Sequence, residues 1–308
     1  MLVKKVKLLQ LFTYEVLINV FKNRNANFFF SVNGRPNITT ISKVELKKIL
    51  CFTMPFFGYT ATQENTQSNI DKKPNIKDKL AEADRLFLED KYEDVVNILE
   101  EYKNLNDEQV LWRIGRAYYN MSRCEKNCGD KRKNLIMNAH ELIKKALSIN
   151  PNIFEVQKWA AVLIDEYCSI IGIKERIKSL EIVKSHMERA LELNPKDPTI
   201  RYMIGYWCYS VADMPWYQRQ IASSIFGATL PTATYEEALE HFKSAETLQP
   251  LFYSKNLLML GKTLLKMESK FSAEYYLKMV TQYPAKTVDD LEAKKEADKI
   301  LKSSFGYY

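Results

Sequence analysis

Residues 139–151, AHELIKKALSINP, recur in altered letters as 183–195, VKSHMERALELNP, and as 238–250, ALEHFKSAETLQP. Each copy places small or apolar residues at spacings of four, three and five: Ala139, Ile143, Ala146, Pro151; Val183, Met187, Ala190, Pro195; Ala238, Phe242, Ala245, Pro250. Spacings of four and three put the first three residues on one face of a helix. The proline, with no N–H and a ring that clashes with the preceding turn, ends that helix. Alanines on the shared face let a neighbouring helix approach closely. Two weaker copies flank the set, Val95, Leu99 and Tyr102 on one side, and Ala273, Leu277 and Val280, followed by Pro284, on the other.

Upstream of three of these helices lies a glycine in helical context: Leu111-x-x-Ile114-Gly115-x-x-Tyr118, Ile204-Gly205 with Cys208, and Leu257-x-x-Leu260-Gly261-x-x-Leu264. Glycine costs about 1 kcal/mol in a helix interior, so its recurrence there asks for a packing reason. A glycine-bearing helix A, an alanine-bearing helix B and a closing proline make the tetratricopeptide pattern. The predicted fold is all-α, a tetratricopeptide-like helical-repeat solenoid of about five antiparallel helix pairs. The helix B position recurs at 95, 139, 183, 238 and 273, in steps of 44, 44, 55 and 35. The usual period is about 34, so three pairs carry extra residues, around 119–134, 165–178 and 209–234. The default function of such an array is to hold another molecule rather than to do chemistry.

The chain has 308 residues, 45 Lys and Arg against 38 Asp and Glu, and a formal charge of +7. Residues 1–60 hold nine basic and two acidic side chains and carry that whole excess. The rest is net neutral, which argues against a dedicated nucleic-acid reader, since such domains displace counterions with a strong basic surplus. The first 22 residues, MLVKKVKLLQLFTYEVLINVFK, suit a targeting segment, a membrane-surface helix or a poorly ordered extension. Ile49–Tyr59, ILCFTMPFFGY, is too short to span a bilayer and is broken by Pro55. The expected organisation is a basic extension over 1–60, a polar linker over 61–76, the repeat domain over 77–301 and a tail over 302–308. Five scattered cysteines, Cys51, Cys124, Cys128, Cys168 and Cys208, fit a reducing compartment better than a disulfide framework.

Little in the chain suggests chemistry. His140, His186 and His241 each fall in a helix B without an i+4 His or Cys partner, and read as helix-surface residues. Cys124 and Cys128 form a Cys-x-x-x-Cys with no further ligands nearby, so neither metal nor cofactor is expected. No phosphate-cradling glycine loop or nucleophile elbow is present. Two segments are dense in large side chains. Met214-Pro215-Trp216-Tyr217-Gln218-Arg219 follows Tyr206-Trp207-Cys208-Tyr209, and Trp207 and Trp216 are either core aromatics bracing the longest insertion or, in the case of Trp216, Tyr217 and Arg219, groove residues that anchor a partner. Phe252-Tyr253-Ser254-Lys255-Asn256-Leu257-Leu258 opens the last helix A, where Tyr253 is a groove candidate and Lys255 and Asn256 are groove candidates or helix-capping residues.

The sequence Leu111-Trp112-Arg113, Asn194-Pro195-Lys196-Asp197, Met214 to Arg219 and Phe252 to Leu258 with Gly261-Lys262-Thr263 closely resembles the regulator of microtubule dynamics family over roughly residues 77–301. The resemblance implies a non-enzymatic, microtubule-associated protein of spindle organisation and chromosome segregation. One branch of the family is anchored in the mitochondrial outer membrane and binds phospholipid with its repeats. This chain is more similar to the short, unanchored branch. The first expectation is therefore a cytoplasmic adaptor on microtubules, spindle and spindle poles, with tubulin as partner. Lys126, Lys131, Arg132 and Lys133, beside the N-terminal lysines, are its candidate contacts with an acidic surface. The alternative is a phospholipid-binding or membrane-contact module at mitochondria, with the insertion at 221–230 helping to enclose an acyl chain. A scaffold for an unrelated peptide also fits, and an enzyme fits least.

Overall fold

The computed structural model describes residues 76–123, 129–227 and 230–307, which fall within one compact unit. The basic extension, nearly all of the linker, Cys51, Cys124, Cys128 and Lys126 lie outside the described residues. Among the described residues there are helices and no strands. The helices are α1 (Ile76–Leu88), α2 (Tyr92–Leu99), a 3-10 turn (Glu100–Leu105), α3 (Glu108–Arg123), α4 (Asp130–Ile149), α5 (Phe154–Ile171) and α6 (Ile173–Lys178). They continue as α7 (Leu180–Leu193), α8 (Pro198–Ala212), α9 (Trp216–Phe226), α10 (Tyr235–Leu248), α11 (Ser254–Lys266), α12 (Lys270–Gln282) and α13 (Val288–Phe305).

Five antiparallel pairs emerge, α1/α2, α3/α4, α5/α7, α8/α10 and α11/α12, each stacked on the next, with α13 closing the array. Every helix B pattern position is buried. Leu99, Ile143, Phe242 and Leu277 are fully inaccessible and Met187 nearly so, each burying side-chain area worth about 2 kcal/mol. The glycines meet the alanines as the spacing predicts. A β-carbon on Gly115, Gly205 or Gly261 would lie 3.4, 3.1 or 3.4 Å from the carbonyl oxygen of Ala139, Ala238 or Ala273 of its own pair.

The uneven repeat steps come from how helix A joins helix B and, in the second and third pairs, from longer helices, α4 starting well before Ala139 and α5 running from Phe154 to Ile171. In α1/α2 and α11/α12 a three-residue turn joins A to B, with Asp90 and Glu268 at its centre in the left-handed region, φ 60° and 59°. Lys91 N–H donates to Leu86 O and Ser269 N–H to Leu264 O, at 3.0 and 2.9 Å, closing these turns alike. The three central pairs replace this turn with extra residues: 124–129, the helix α6, and the segment containing α9. The final step of 35 is near the usual period because the fifth pair keeps the short turn. Helix starts follow local chemistry. Asp197 caps α8 through Ile200 N–H with Pro198 in the first turn, and Thr234 and Thr287 form capping boxes with Glu237 and Asp290. The last helix runs to Phe305, past the expected boundary at 301, and stops at Gly306, φ 72°.

Candidate functional site

The extra helices of the third and fourth pairs, α6 and α9, pack against each other. Beneath them α5, α7 and α8 leave a cavity of about 110 Å³. Its wall is mostly apolar, with Val162, Ile177, Met203 and Trp207 among its members, and its polar members include Asp165, Arg176, Ser210 and Gln218. The Arg176 guanidinium donates through Nε and a terminal nitrogen to the two oxygens of Asp165, each at 2.8 Å, and this fork ties α6 to α5. Asp165 holds the Arg176 pKa above its ordinary value although burial pushes it down. Burial raises the Tyr206 hydroxyl well above the ordinary tyrosine range. Trp207 Nε1 donates to Leu180 O at 3.1 Å, fixing the start of α7 against α8.

A second tie sits just past the C-terminal end of α8. Asp213 accepts from the Tyr235 hydroxyl at 2.8 Å and from Lys266 at 2.6 Å, joining α8 to α10 and α11. Burial first, and Asp213 next, push the Tyr235 hydroxyl up to about 12. Near the start of the array, Arg116 is buried under Asp84, which it meets at 2.8 Å, and over the Phe87 ring, 3.7 Å away. Burial lowers its pKa to about 10, so the guanidinium stays charged at neutral pH and acts as a structural cation between the first two pairs.

The predicted site residues divide sharply. Trp216 is 72% exposed and stands edge-on to the exposed Tyr217, while Arg219 donates to the carbonyls of Ala212 and Met214. These three form a surface on the outer side of α9 and do not line the cavity; Trp207 alone of the two candidate tryptophans is a core aromatic. Gln218, between them, is buried and faces the cavity. Tyr253 and Asn256 are corrections to the groove assignment. Tyr253 is buried edge-on against Tyr202 at 5.2 Å, and Asn256 donates to Phe242 O and Glu246 Oε2, locking α11 to α10. Lys255 is half-buried and paired with Glu292 at 3.2 Å. The run in the first insertion is also split. Arg132 pairs with the buried Glu166 and is committed to the array, whereas Lys131 and Lys133 are exposed.

The three histidines are half-buried rather than freely exposed. His140 stacks on Tyr167 at 4.1 Å, His186 Nδ1 lies 2.6 Å from Gln157 Oε1, and burial lowers all three pKa values. Cys208 is buried and its thiol pushed up to about 11, which makes it a poor nucleophile. Among the described residues no three His, Cys, Asp or Glu side chains converge as a metal site, and no helix is long and apolar enough to cross a membrane. Sequence spacing had no means of showing the cavity, because its walls come from five helices, two of them insertions that have no repeat counterpart.

Residues 79–305, which span all five pairs and the closing helix, match the family described as regulator of microtubule dynamics protein 1-3. The chain is 38% identical over 275 residues to regulator of microtubule dynamics protein 1 of Pongo abelii, covering 89% of this chain and 85% of that protein. It is 30% identical over 194 residues to regulator of microtubule dynamics protein 3 of Xenopus laevis, covering 63% and 42%. Among solved structures, a thermophilic tetratricopeptide-repeat protein of Thermus thermophilus superposes with a TM-score of 0.50 at 14% identity, covering 74% of this chain and 99% of that one. That likeness concerns the fold alone. Together, the matched span and the identity to a relative over most of its length show that the chain belongs to the regulator of microtubule dynamics family.

Proposed function

We propose that the protein is a non-enzymatic, microtubule-associated adaptor that acts in spindle organisation and chromosome segregation. The observation that carries this reading is the family match across the whole array, 79–305, together with relatives named as regulators of microtubule dynamics. A rigid stack of helix pairs with exposed Trp216 and Tyr217 suits a role in holding partners, since large rigid aromatics anchor interfaces at low entropic cost. The reading places the protein in the cytoplasm on microtubules, spindle and spindle poles. Co-sedimentation of the full chain with polymerised tubulin across a salt series tests it. Saturable pelleting that weakens with salt is the expected result, and no pelleting at low salt would overturn it.

A second reading, a phospholipid-binding or membrane-contact module at mitochondria, is favoured by the apolar cavity under α6 and α9. Size ranks it second. A cavity of about 110 Å³ is smaller than the roughly 150 Å³ that admits a benzene ring, so an acyl chain enters only if α6 and α9 move apart. Native mass spectrometry of the full chain mixed with phosphatidylcholine checks this. A stoichiometric adduct that Ala161→Phe removes would support it, and absence of any adduct would dismiss it.

A further inference from the structure

We propose that the closing helix α13 is a docking face for an acidic polypeptide segment, built on Lys295, Lys299 and Lys302. The proposal deepens the microtubule reading and rests on it only for the source of such segments, the acidic microtubule surface. By sequence α13 is not basic, since its five carboxylates, Asp289, Asp290, Glu292, Glu296 and Asp298, outnumber its four lysines. Packing sorts these charges. Buried Ala293, Ala297 and Leu301 fix one face against the array. Glu292 and Glu296 on its flank accept from Lys255 and Lys262 of α11 at 3.2 and 2.6 Å. Asp289 and Asp290 are buried, the latter accepting from the Ser254 hydroxyl at 2.6 Å.

Two of these carboxylates are thereby buried and two are paired across the flank, which leaves Asp298 as the fifth. Lys295, Lys299 and Lys302, spaced by four and three, lie on the face opposite the alanines and form an open surface patch with Asp298 and Ser303. Among the described residues none of the three has an ion-pair partner. The helix dipole accounts for Lys302 in the last turn and not for Lys295 or Lys299, because it acts within one turn of the end. Val288 and Leu291, 68% and 51% exposed, extend the same face towards the helix start. The surface is thus apolar at one end and basic at the other.

The row from 295 to 302 is about 10 Å long, against about 7 Å between alternate side chains of an extended peptide, so a few glutamates of one chain fit it. Three lysines offset by one aspartate are too few for a nucleic acid, whose binding neutralises many phosphates, or for an anionic membrane, which takes clusters of about four to eight. Among its described residues the first insertion offers no such row. Arg132 is held by Glu166, and Lys131 and Lys133, two residues apart, point to different sides of α4.

The test uses the full chain, the triple variant Lys295→Gln/Lys299→Gln/Lys302→Gln, and the comparison variant Lys131→Gln/Lys133→Gln. Affinity for a labelled polyglutamate peptide is measured by anisotropy across salt, beside co-sedimentation with polymerised tubulin. The triple variant should bind polyglutamate about tenfold more weakly, with a flatter salt dependence and reduced pelleting, while the comparison variant behaves as wild type. Equal binding of polyglutamate by the triple variant and wild type overturns the docking face, and undiminished pelleting would leave the microtubule reading intact. Loss of polyglutamate binding in a protein whose wild type never pellets with tubulin would uphold the face and remove the microtubule reading. Triple-sensitive binding to phosphatidylserine vesicles or duplex DNA, without polyglutamate binding, would also overturn the proposal.

Discussion

The three helix A glycines are packed to different tolerances, and replacing each by alanine separates steric fit from helix propensity. Alanine is favoured over glycine in a helix interior by about 1 kcal/mol wherever the added methyl is accommodated. At Gly115 the new β-carbon would sit 3.4 Å from Ala139 O and 3.6 Å from Leu163 Cδ1, ordinary contact distances. Gly115→Ala should therefore be neutral or stabilise by up to about 1 kcal/mol. At Gly205 the same carbon would meet Phe242 Cδ1 at 2.9 Å, Cε1 at 3.0 Å and Ala238 O at 3.1 Å. Phe242 is fully buried and packed against Tyr202, and a backbone carbonyl does not rotate away. Overpacking of this kind costs roughly 1–3 kcal/mol, which exceeds the propensity gain, and Gly205→Leu, which also drives α8 from α10, should cost several. The assay is thermal unfolding of the full chain followed by circular dichroism, where about 1 kcal/mol corresponds to a Tm shift of about 2–4 °C in a domain this size. A Gly205→Ala protein as stable as wild type, or a Gly115→Ala protein less stable than Gly205→Ala, would refute the packing account.

Three further outcomes follow from burial and charge. His140, His186 and His241 are held below the ordinary value near 6.5 by burial, so the unfolded chain binds protons first. Stability is then full above that value and declines as pH falls through it towards the folded values, and His→Gln variants should flatten a thermal-melt series from pH 7 to 5. Glu166, raised by burial, works in the opposite sense, so the variants rather than the wild-type curve isolate the histidines. Arg132→Ala removes one ion-pair partner of the buried Glu166 and should destabilise by roughly 1–3 kcal/mol, against less than about 0.5 for Lys131→Ala, in denaturant titrations. Trp207→Ala should cost about 3–5 kcal/mol and Trp216→Ala almost nothing, the first being buried and bonded to Leu180 O, the second open to solvent.

The helix pairs were legible because their code is local. Residues at spacings of four and three share a face whatever the rest of the chain does, and a proline stops a helix through its own ring. Hence the register at 95, 139, 183, 238 and 273, the helix A glycines and the count of five pairs all emerge from the sequence, and the motif residues carry the family resemblance. The insertions were legible as lengths, but not as partners. The cavity exists only because α6 and α9 meet, a contact between two segments far apart along the chain that no periodicity encodes. Tyr253 and Asn256 follow the same logic: their motif marks them as special, yet only the packing of the α11 start against Tyr202 of α8 and against α10 turns them into the core. Charge was the least legible property. A charged side chain on a helix flank can face solvent or a neighbouring repeat, and the choice depends on a partner supplied far along the chain. Lys255 and Lys262 reach Glu292 and Glu296 across 37 and 34 residues, and this pairing, with the burial of Asp289 and Asp290, turns an acidic helix into a basic surface.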